Sequence, residues 1–162
     1  MNIDTIFSEL KQHFNDYILA TDSTPDIPTV TIVAEAITEI LQYLKDQQGF
    51  TVLTDLCGIH YPNQEKELGV IYHLNNLSEK QRIRIKAFVT KESPQISSIV
   101  SLYLAANWME RETYDFYGIQ FVGHPNLKRI LNVEFMDYFP MRKEYPLEDA
   151  TRTDKDDRFF GR

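Results

Sequence analysis

One cysteine, Cys57, stands in the whole chain. That excludes an intrachain disulfide, and it excludes a cysteine-ligated iron–sulfur cluster or a Cys-type zinc site built from this chain alone. Within the apolar stretch 52–59, Cys57 reads as a buried small hydrophobe. Positive charge is also scarce: 17 Lys and Arg against 24 Asp and Glu give a net charge of -7. Such a balance disfavours nucleic acid as a partner, because displacing phosphate counterions needs a concentrated basic face. It disfavours a direct contact with anionic lipid for the same reason. Long apolar runs are missing too. The uncharged stretch 94–109 contains serines, Gln95 and Asn107, and it is too short and too polar to cross a bilayer. The start, Met1-Asn2-Ile3-Asp4, lacks the basic flank and apolar segment of a signal peptide, so a soluble, cytoplasmic chain is expected. No Gly-x-Gly-x-x-Gly follows a strand, and there is no Walker A loop, His-Glu-x-x-His or Gly-x-Ser-x-Gly elbow. No motif therefore builds a cofactor pocket.

What is present suits one domain with a sizeable core: 162 residues, 43% hydrophobic and 25% charged. Ile3, Ile6, Phe7, Leu10, Phe14 and Tyr17 recur at helical spacing and predict a first helix over 3–17. Residues 21–28, with Pro25 and Pro28, predict a loop. A short β-branched strand at 30–33 precedes a second helical stripe of Ile37, Ile40, Leu41 and Leu44, which Gly49 is expected to stop. A buried strand is expected at 50–56. Further on, Val70, Tyr72 and Leu74 alternate with Ile71 and His73, and Ile83, Ile85 and Ala87 alternate with Arg82, Arg84 and Lys86. Period two of this kind predicts strands with one wet face, the isoleucines and alanine turned toward helices. Ser97 or Ser98 is expected to cap a third helix running to Tyr117, with Ile99, Leu102, Tyr103 and Ala106 inward and Gly118 ending it. The pattern gives an α+β fold: a mostly antiparallel sheet with helices packed on one face, then an extended irregular tail. The core is read as 1–122 and the tail as 123–162. Eleven of the twenty aromatic side chains fall in the last 55 residues, where periodicity is lost after Gly118. Rings that a small domain has little surface left to bury belong more naturally against a partner.

The densest polar group is Glu110-Arg111-Glu112-Thr113-Tyr114-Asp115 at the end of the third helix. Glu110 and Glu112 could form an acid/base pair, but residues two apart on a helix diverge and would not converge on one substrate bond. The group reads instead as a charged helix end that organises the following loop. Arg111 is expected to be held by a carboxylate, with Asp115, four residues on, the nearest candidate. Gly123 and Pro125 flank His124 in a tight turn expected to aim the imidazole away from the chain. His124 with Glu110 and Glu112 could serve a small metal-dependent hydrolase, yet no second His or Cys stands at ligand spacing nearby. Lys128, Arg129, Arg142 and Lys143 form a local basic set nearly balanced by Glu134, Asp137 and Glu144, which fits ion pairs to a protein better than binding to a polyanion.

The run Glu110-Arg111-Glu112-x-x-Asp115-Phe116-Tyr117-Gly118-Ile119-x-Phe121-x-Gly123-His124-Pro125-x-Leu127-Lys128-Arg129-Ile130-Leu131 resembles the signature of the C-subunit of NADH–quinone oxidoreductase, respiratory complex I. Ala105-Ala106-Asn107-Trp108-Met109 before it and Pro140-x-Arg142-Lys143-x-x-Pro146 after it are similar as well, as are Tyr72-His73-Leu74 and Arg82-Ile83-Arg84. The likeness extends over roughly residues 30–148. His60, where the family usually carries an acidic residue before a Tyr-Pro pair, departs from the pattern, and so does the stretch 132–139.

The resemblance implies a non-catalytic scaffold in the peripheral arm of complex I, on the cytoplasmic side of the membrane and attached to it through the complex. It implies packing against the D-subunit, with the B- and I-subunits nearby. NADH, FMN, iron–sulfur clusters and quinone would belong to other subunits, leaving this chain without a cofactor or catalytic side chain. Related subunits serve membrane-bound hydrogenases. The other reading left open by the residues is a stand-alone protein-binding module, the sheet its platform and the aromatic tail its clamp.

Overall fold

The computed structural model describes residues 3–23 and 26–145. The first amphipathic stripe folds as helix α1 (Ile3–Phe14), three residues shorter than its pattern suggests. A 3-10 turn at Asn15–Tyr17 closes it and leads straight into strand β1 (Ile18–Asp22). β1 has no counterpart in the sequence reading, and the loop expected over 21–28 begins correspondingly later. The strand lies at a sheet edge and none of its five residues is fully buried, so no apolar alternation marks it. Strand β2 (Thr29–Val33) follows, then a 3-10 turn and helix α2 (Ile37–Asp46). Ile37, Ile40, Leu41 and Leu44 are all fully buried, as their spacing requires, and Gly49 takes a left-handed conformation just past the helix end.

Strands β3 (Val52–His60), β4 (Leu68–Asn76) and β5 (Gln81–Val89) form an antiparallel meander. The order across the sheet is β1-β2-β5-β4-β3. Three of the four pairings are antiparallel, while β2 lies parallel to β5, so the sheet is mixed. Helix α2 carries the chain back to start β3 in the direction of β2, and the two turns of the meander then bring β5 alongside β2. Alternation reports which face a side chain takes; it does not report the direction of the neighbouring strand.

Ile83, Ile85 and Ala87 are buried with Val70, Tyr72 and Leu74 in one cluster that includes the inward residues of α1 and α2. Arg82, Arg84 and Lys86 take the opposite face, which confirms the register read from the sequence.

The third helix differs from its expectation. Residues 95–97 form strand β6 (Gln95–Ser97), and helix α3 (Ala106–Tyr117) begins eight residues after Ser98. The Ser98 hydroxyl does not cap a helix: it donates to Glu110 Oε2 at 2.6 Å. Between them a turn in which Leu102 and Tyr103 both donate to Ile99 O mimics helical spacing. Ile99, Tyr103 and Ala106 thus point inward without one continuous helix, while Leu102 is only half-buried. Strand β7 (Gln120–Val122) pairs in parallel with β6. Residues 123–145 carry no further strand or helix. Pro146, Phe159 and Phe160, counted in the tail from sequence, lie outside the described residues.

Candidate partner-docking site

Residues 123–145 fold back along α3, from Asn107 in its first turn to Tyr117 at its end, and a buried ion pair fixes them there. Asp115 is 0% exposed. Its Oδ2 accepts the backbone N–H groups of Ile130, Leu131 and Asn132 at 3.0, 2.8 and 2.9 Å. Its Oδ1 accepts from the Asn132 amide at 3.1 Å and from the Arg129 guanidinium at 2.8 Å. Arg129, with 8% of its side chain exposed, also donates to the carbonyls of Asp115, Met136 and Tyr138. Burial alone would push the Asp115 carboxyl up, but the hydrogen bonds from Asn132, Leu131 and Arg129 outweigh it and hold the group well below the usual carboxylate range.

This geometry corrects the pairing expected from sequence. Arg111 is not held by Asp115. Its guanidinium donates to the carbonyls of Lys128 and Arg129 and lies 5.0 Å over the Trp108 ring. Helical spacing permits an Arg111–Asp115 pair, but Asp115 is rotated into the interior, where the loop delivers Arg129 to it. Glu110 and Glu112 diverge as helical geometry demands: Glu110 is fully buried and Glu112 exposed. Glu110 accepts from the Ser98 hydroxyl and from Ile99 N–H at 2.7 Å, and burial pushes its carboxyl up to about 7 against those hydrogen bonds.

His124 likewise departs from expectation. Its ring turns back onto the first turn of α3, with Nε2 3.1 Å from Asn107 O and Nδ1 accepting Asn126 N–H at 2.9 Å. The polar groups around it reward a ring that folds back, so the tight turn serves packing. Gly123, at φ +86°, supports that turn, and Pro125 beside it is exposed. His124, Glu110 and Glu112 therefore do not converge, and among the described residues no group of three or more His, Cys, Asp or Glu could hold a metal ion.

The rest of the loop is held around Phe139. The guanidiniums of Arg129 and Arg142 both lie over the ring, 5.0 and 4.8 Å from its centroid, with Tyr114 edge-on at 6.2 Å. It sits so close to Gly118 that a Cβ there would come within 2.5 Å of a ring carbon, and Gly118 itself is left-handed at φ +73°. Arg142 donates to Tyr117 O, and Met141 N–H, just past Pro140, donates to Phe116 O. His60 accepts the backbone N–H of Lys143 at 2.9 Å and meets Glu67 through its other nitrogen. The side chains of Lys128 and Lys143 stay exposed. Phe139, one of the tail aromatics expected against a partner, is packed within the chain instead, and Asn132 and His60 are site residues that sequence reasoning missed, both lying where the sequence departs from the family pattern.

Outward, the fixed loop presents Leu131, Val133, Phe135, Tyr138, Met141 and Tyr145, with Phe135 87% and Leu131 64% exposed. Beside it, between β3 and α3, runs a groove of about 250 Å³ lined by Cys57, Gly58, Glu112, Phe116, Tyr117 and Met141, among others. Cys57 is half-buried there, and its thiol is pushed up to about 11, first by burial and then by Asp55. No helix among the described residues is long and apolar enough to cross a membrane.

Residues 30–151 match the family described as the respiratory-chain NADH dehydrogenase 30 kDa subunit. The NADH-quinone oxidoreductase C-subunit of Citrifermentans bemidjiense is 39% identical over 144 residues, 89% of each chain. The C-subunit of Sinorhizobium medicae is 44% identical over 74% of this chain but only 60% of its own length, so the chain spans well under the full length of some relatives. Among solved structures, a trypsin-resistant fragment (1-134) of Nqo5 is 26% identical with a TM-score of 0.69, covering 78% of this chain and all of that one. A chain of the membrane-bound sulfane sulfur reductase, an archaeal respiratory membrane complex, shares the fold with a TM-score of 0.75 at 19% identity, over 89% of this chain and 85% of that one. The family match over three quarters of the sequence, the signature that wraps Asp115 and Arg129, and the relatives at about 40% identity agree, and the chain belongs to the 30 kDa subunit family of respiratory NADH dehydrogenase.

Proposed function

We propose that this chain is a non-catalytic scaffold subunit of the peripheral arm of a proton-translocating NADH–quinone oxidoreductase, docked on the D-subunit of that complex with the B- and I-subunits nearby. NADH, FMN, iron–sulfur clusters and quinone sit in other subunits, and the arm lies on the cytoplasmic side of the membrane. The observation that carries this reading is the loop 129–141. A buried charge network fixes its backbone, while its apolar side chains are turned outward where the domain's own core does not reach. Fixing a loop in advance lowers the entropy lost on association, and contiguous exposed apolar side chains mark a protein contact. Lys143 at its end, with its side chain exposed, would meet an acidic group of the partner and set the register, whereas Arg142, expected from sequence to do the same, is held by Tyr117 O and the Phe139 ring.

The test is co-purification with the D-subunit. Leu131→Glu together with Phe135→Glu places charge on two exposed positions of the loop without touching the Asp115 network. The expected result is loss of association with an unchanged thermal melt. Undiminished association of this variant would refute the docking site.

A further inference from the structure

The sheet has a second face that the docking loop meets only at its β3 edge, where Met141 and Cys57 line one groove. On it the strands align in rows: Asp55, His73, Arg84 and Thr29 in one, and Cys57, Ile71, Lys86 and Thr31 in the next. Arg82 and Asp55 are exposed, whereas Arg84, Lys86, Ile71 and His73 are half-buried. The first row satisfies itself. His73 donates from Nδ1 to Asp55 at 3.2 Å and accepts the Arg84 Nε–H at 2.8 Å, and Arg84 also reaches Asp26 at 3.8 Å. Arg82 and Lys86 flank Arg84 on the central strand β5 and have no ion pair or side-chain hydrogen bond among the described residues. Among the described residues, a chain of net charge -7 thus gathers positive charge without a partner on the central strand of this second sheet face, with the apolar Ile71 beside it.

We infer that this face docks an acidic segment of a protein partner, whose carboxylates meet Arg82 and Lys86 and whose apolar atoms lie on Ile71. Charge complementarity sets the partner's chemistry. Four residues along a strand separate Arg82 from Lys86 by about 13 Å, so two carboxylates at that spacing engage both. A second copy of this chain is a poor occupant, because a two-fold contact would set the same basic row against itself. Five strands about 4.8 Å apart, three of them about 30 Å long and two about half that, offer roughly 600 Å², below the ~800 Å² per side of a free-standing complex. The area suits one contact among several in a larger assembly. An anionic membrane is disfavoured by the chain's overall negative charge and by Asp55 and Asp26 bordering the row. This inference rests on the assembly reading above.

The experiment places photoreactive p-benzoylphenylalanine at position 71 of the full chain, and in a second preparation at position 135. The assembled membrane complex is purified, irradiated and analysed by mass spectrometry of the cross-linked peptides. From position 71 we expect a cross-link to another subunit, on a peptide carrying at least two carboxylates, with a yield that falls about tenfold or more in the Arg82→Glu/Lys86→Glu background. Should that variant melt below the parent chain, Arg82→Gln/Lys86→Gln replaces it. Cross-links from position 135 alone, cross-links from 71 to lipid, or a yield from 71 indifferent to both charge variants overturn the inference while leaving the docking loop standing. Absence of the chain from the purified complex overturns both.

Discussion

Replacing Arg129 by alanine tests whether one buried ion pair organises the signature loop. In the native chain Asp115 is wholly buried and accepts four N–H bonds besides that of Arg129, so removing the guanidinium leaves a carboxylate that is hydrogen-bonded but without a counter-charge. The carbonyls of Asp115, Met136 and Tyr138 lose a donor at the same time, and Phe139 loses one of the two cations packed on its ring. Breaking a buried pair from one side costs about 3–5 kcal/mol. For a chain of this size that corresponds to a fall in melting temperature of roughly 6–20 °C. Urea denaturation followed by far-UV circular dichroism measures the global part. Hydrogen exchange at the amides of Ile130, Leu131 and Asn132 measures any local opening that leaves the sheet intact.

Two controls sharpen the test. Arg129→Lys keeps the charge but not the planar fork that reaches Asp115 and two distant carbonyls together, and it is expected to fall between wild type and alanine. Arg111→Ala removes an arginine of the same motif that touches only carbonyls and the Trp108 ring, and should cost no more than about 1 kcal/mol. pH supplies an independent readout. The folded Asp115 titrates below the ordinary carboxylate range, so its contribution is present above the unfolded value and is lost as pH falls through the folded one. Without Arg129 that loss should begin at higher pH. If Arg129→Ala matched Arg111→Ala in urea midpoint, in exchange at 130–132 and in acid sensitivity, the central role of the pair would be refuted.

Glu110 should impose the opposite pH trend: folding raises its carboxyl from 4.5 to about 7, so the folded chain holds the extra proton and its stability falls as pH rises through that window. The slope is worth at most about 3 kcal/mol and should vanish in Glu110→Gln, as urea midpoints taken across the window would show. Gly118→Ala should destabilise by at least about 1–2 kcal/mol, since position 118 is left-handed and the new methyl meets the Phe139 ring. In a Phe139→Ala background the steric share of that cost should disappear while the backbone share remains. The purified chain is expected to show no flavin, haem or iron–sulfur absorbance and no NADH oxidation; a stoichiometric cofactor in its spectrum would defeat the scaffold proposal.

What the sequence made legible follows from how local each signal is. The faces of β4, β5 and α2 are written in alternation or helical spacing within one element, so the burial of Ile83, Ile85 and Leu44 could be read directly. The start of α3 could not, because a turn at Ile99 imitates helical spacing and the serine that looks like a cap is claimed by Glu110. Strand β1 escaped because it buries none of its residues fully and so carries no apolar alternation.

The signature shows the same boundary at finer grain. That Glu110 to Asp115 would organise the following loop was readable from charge density at a helix end. Which cation Asp115 would take was not, because the choice lies between a neighbour one turn away and a residue 14 positions on. Two physical facts favour the distant one. An exposed i, i+4 pair on a helix gains only about 0.3–0.5 kcal/mol, whereas a guanidinium brought into a desolvated site gains far more if its remaining donors are satisfied. Arg129 meets that condition through three backbone carbonyls, and Asp115 meets its own through three consecutive amides. Both charges are therefore tolerated in the interior only when the loop adopts this one path, which ties the outward direction of Leu131 and Phe135 to the inward pairing of Asp115 and Arg129.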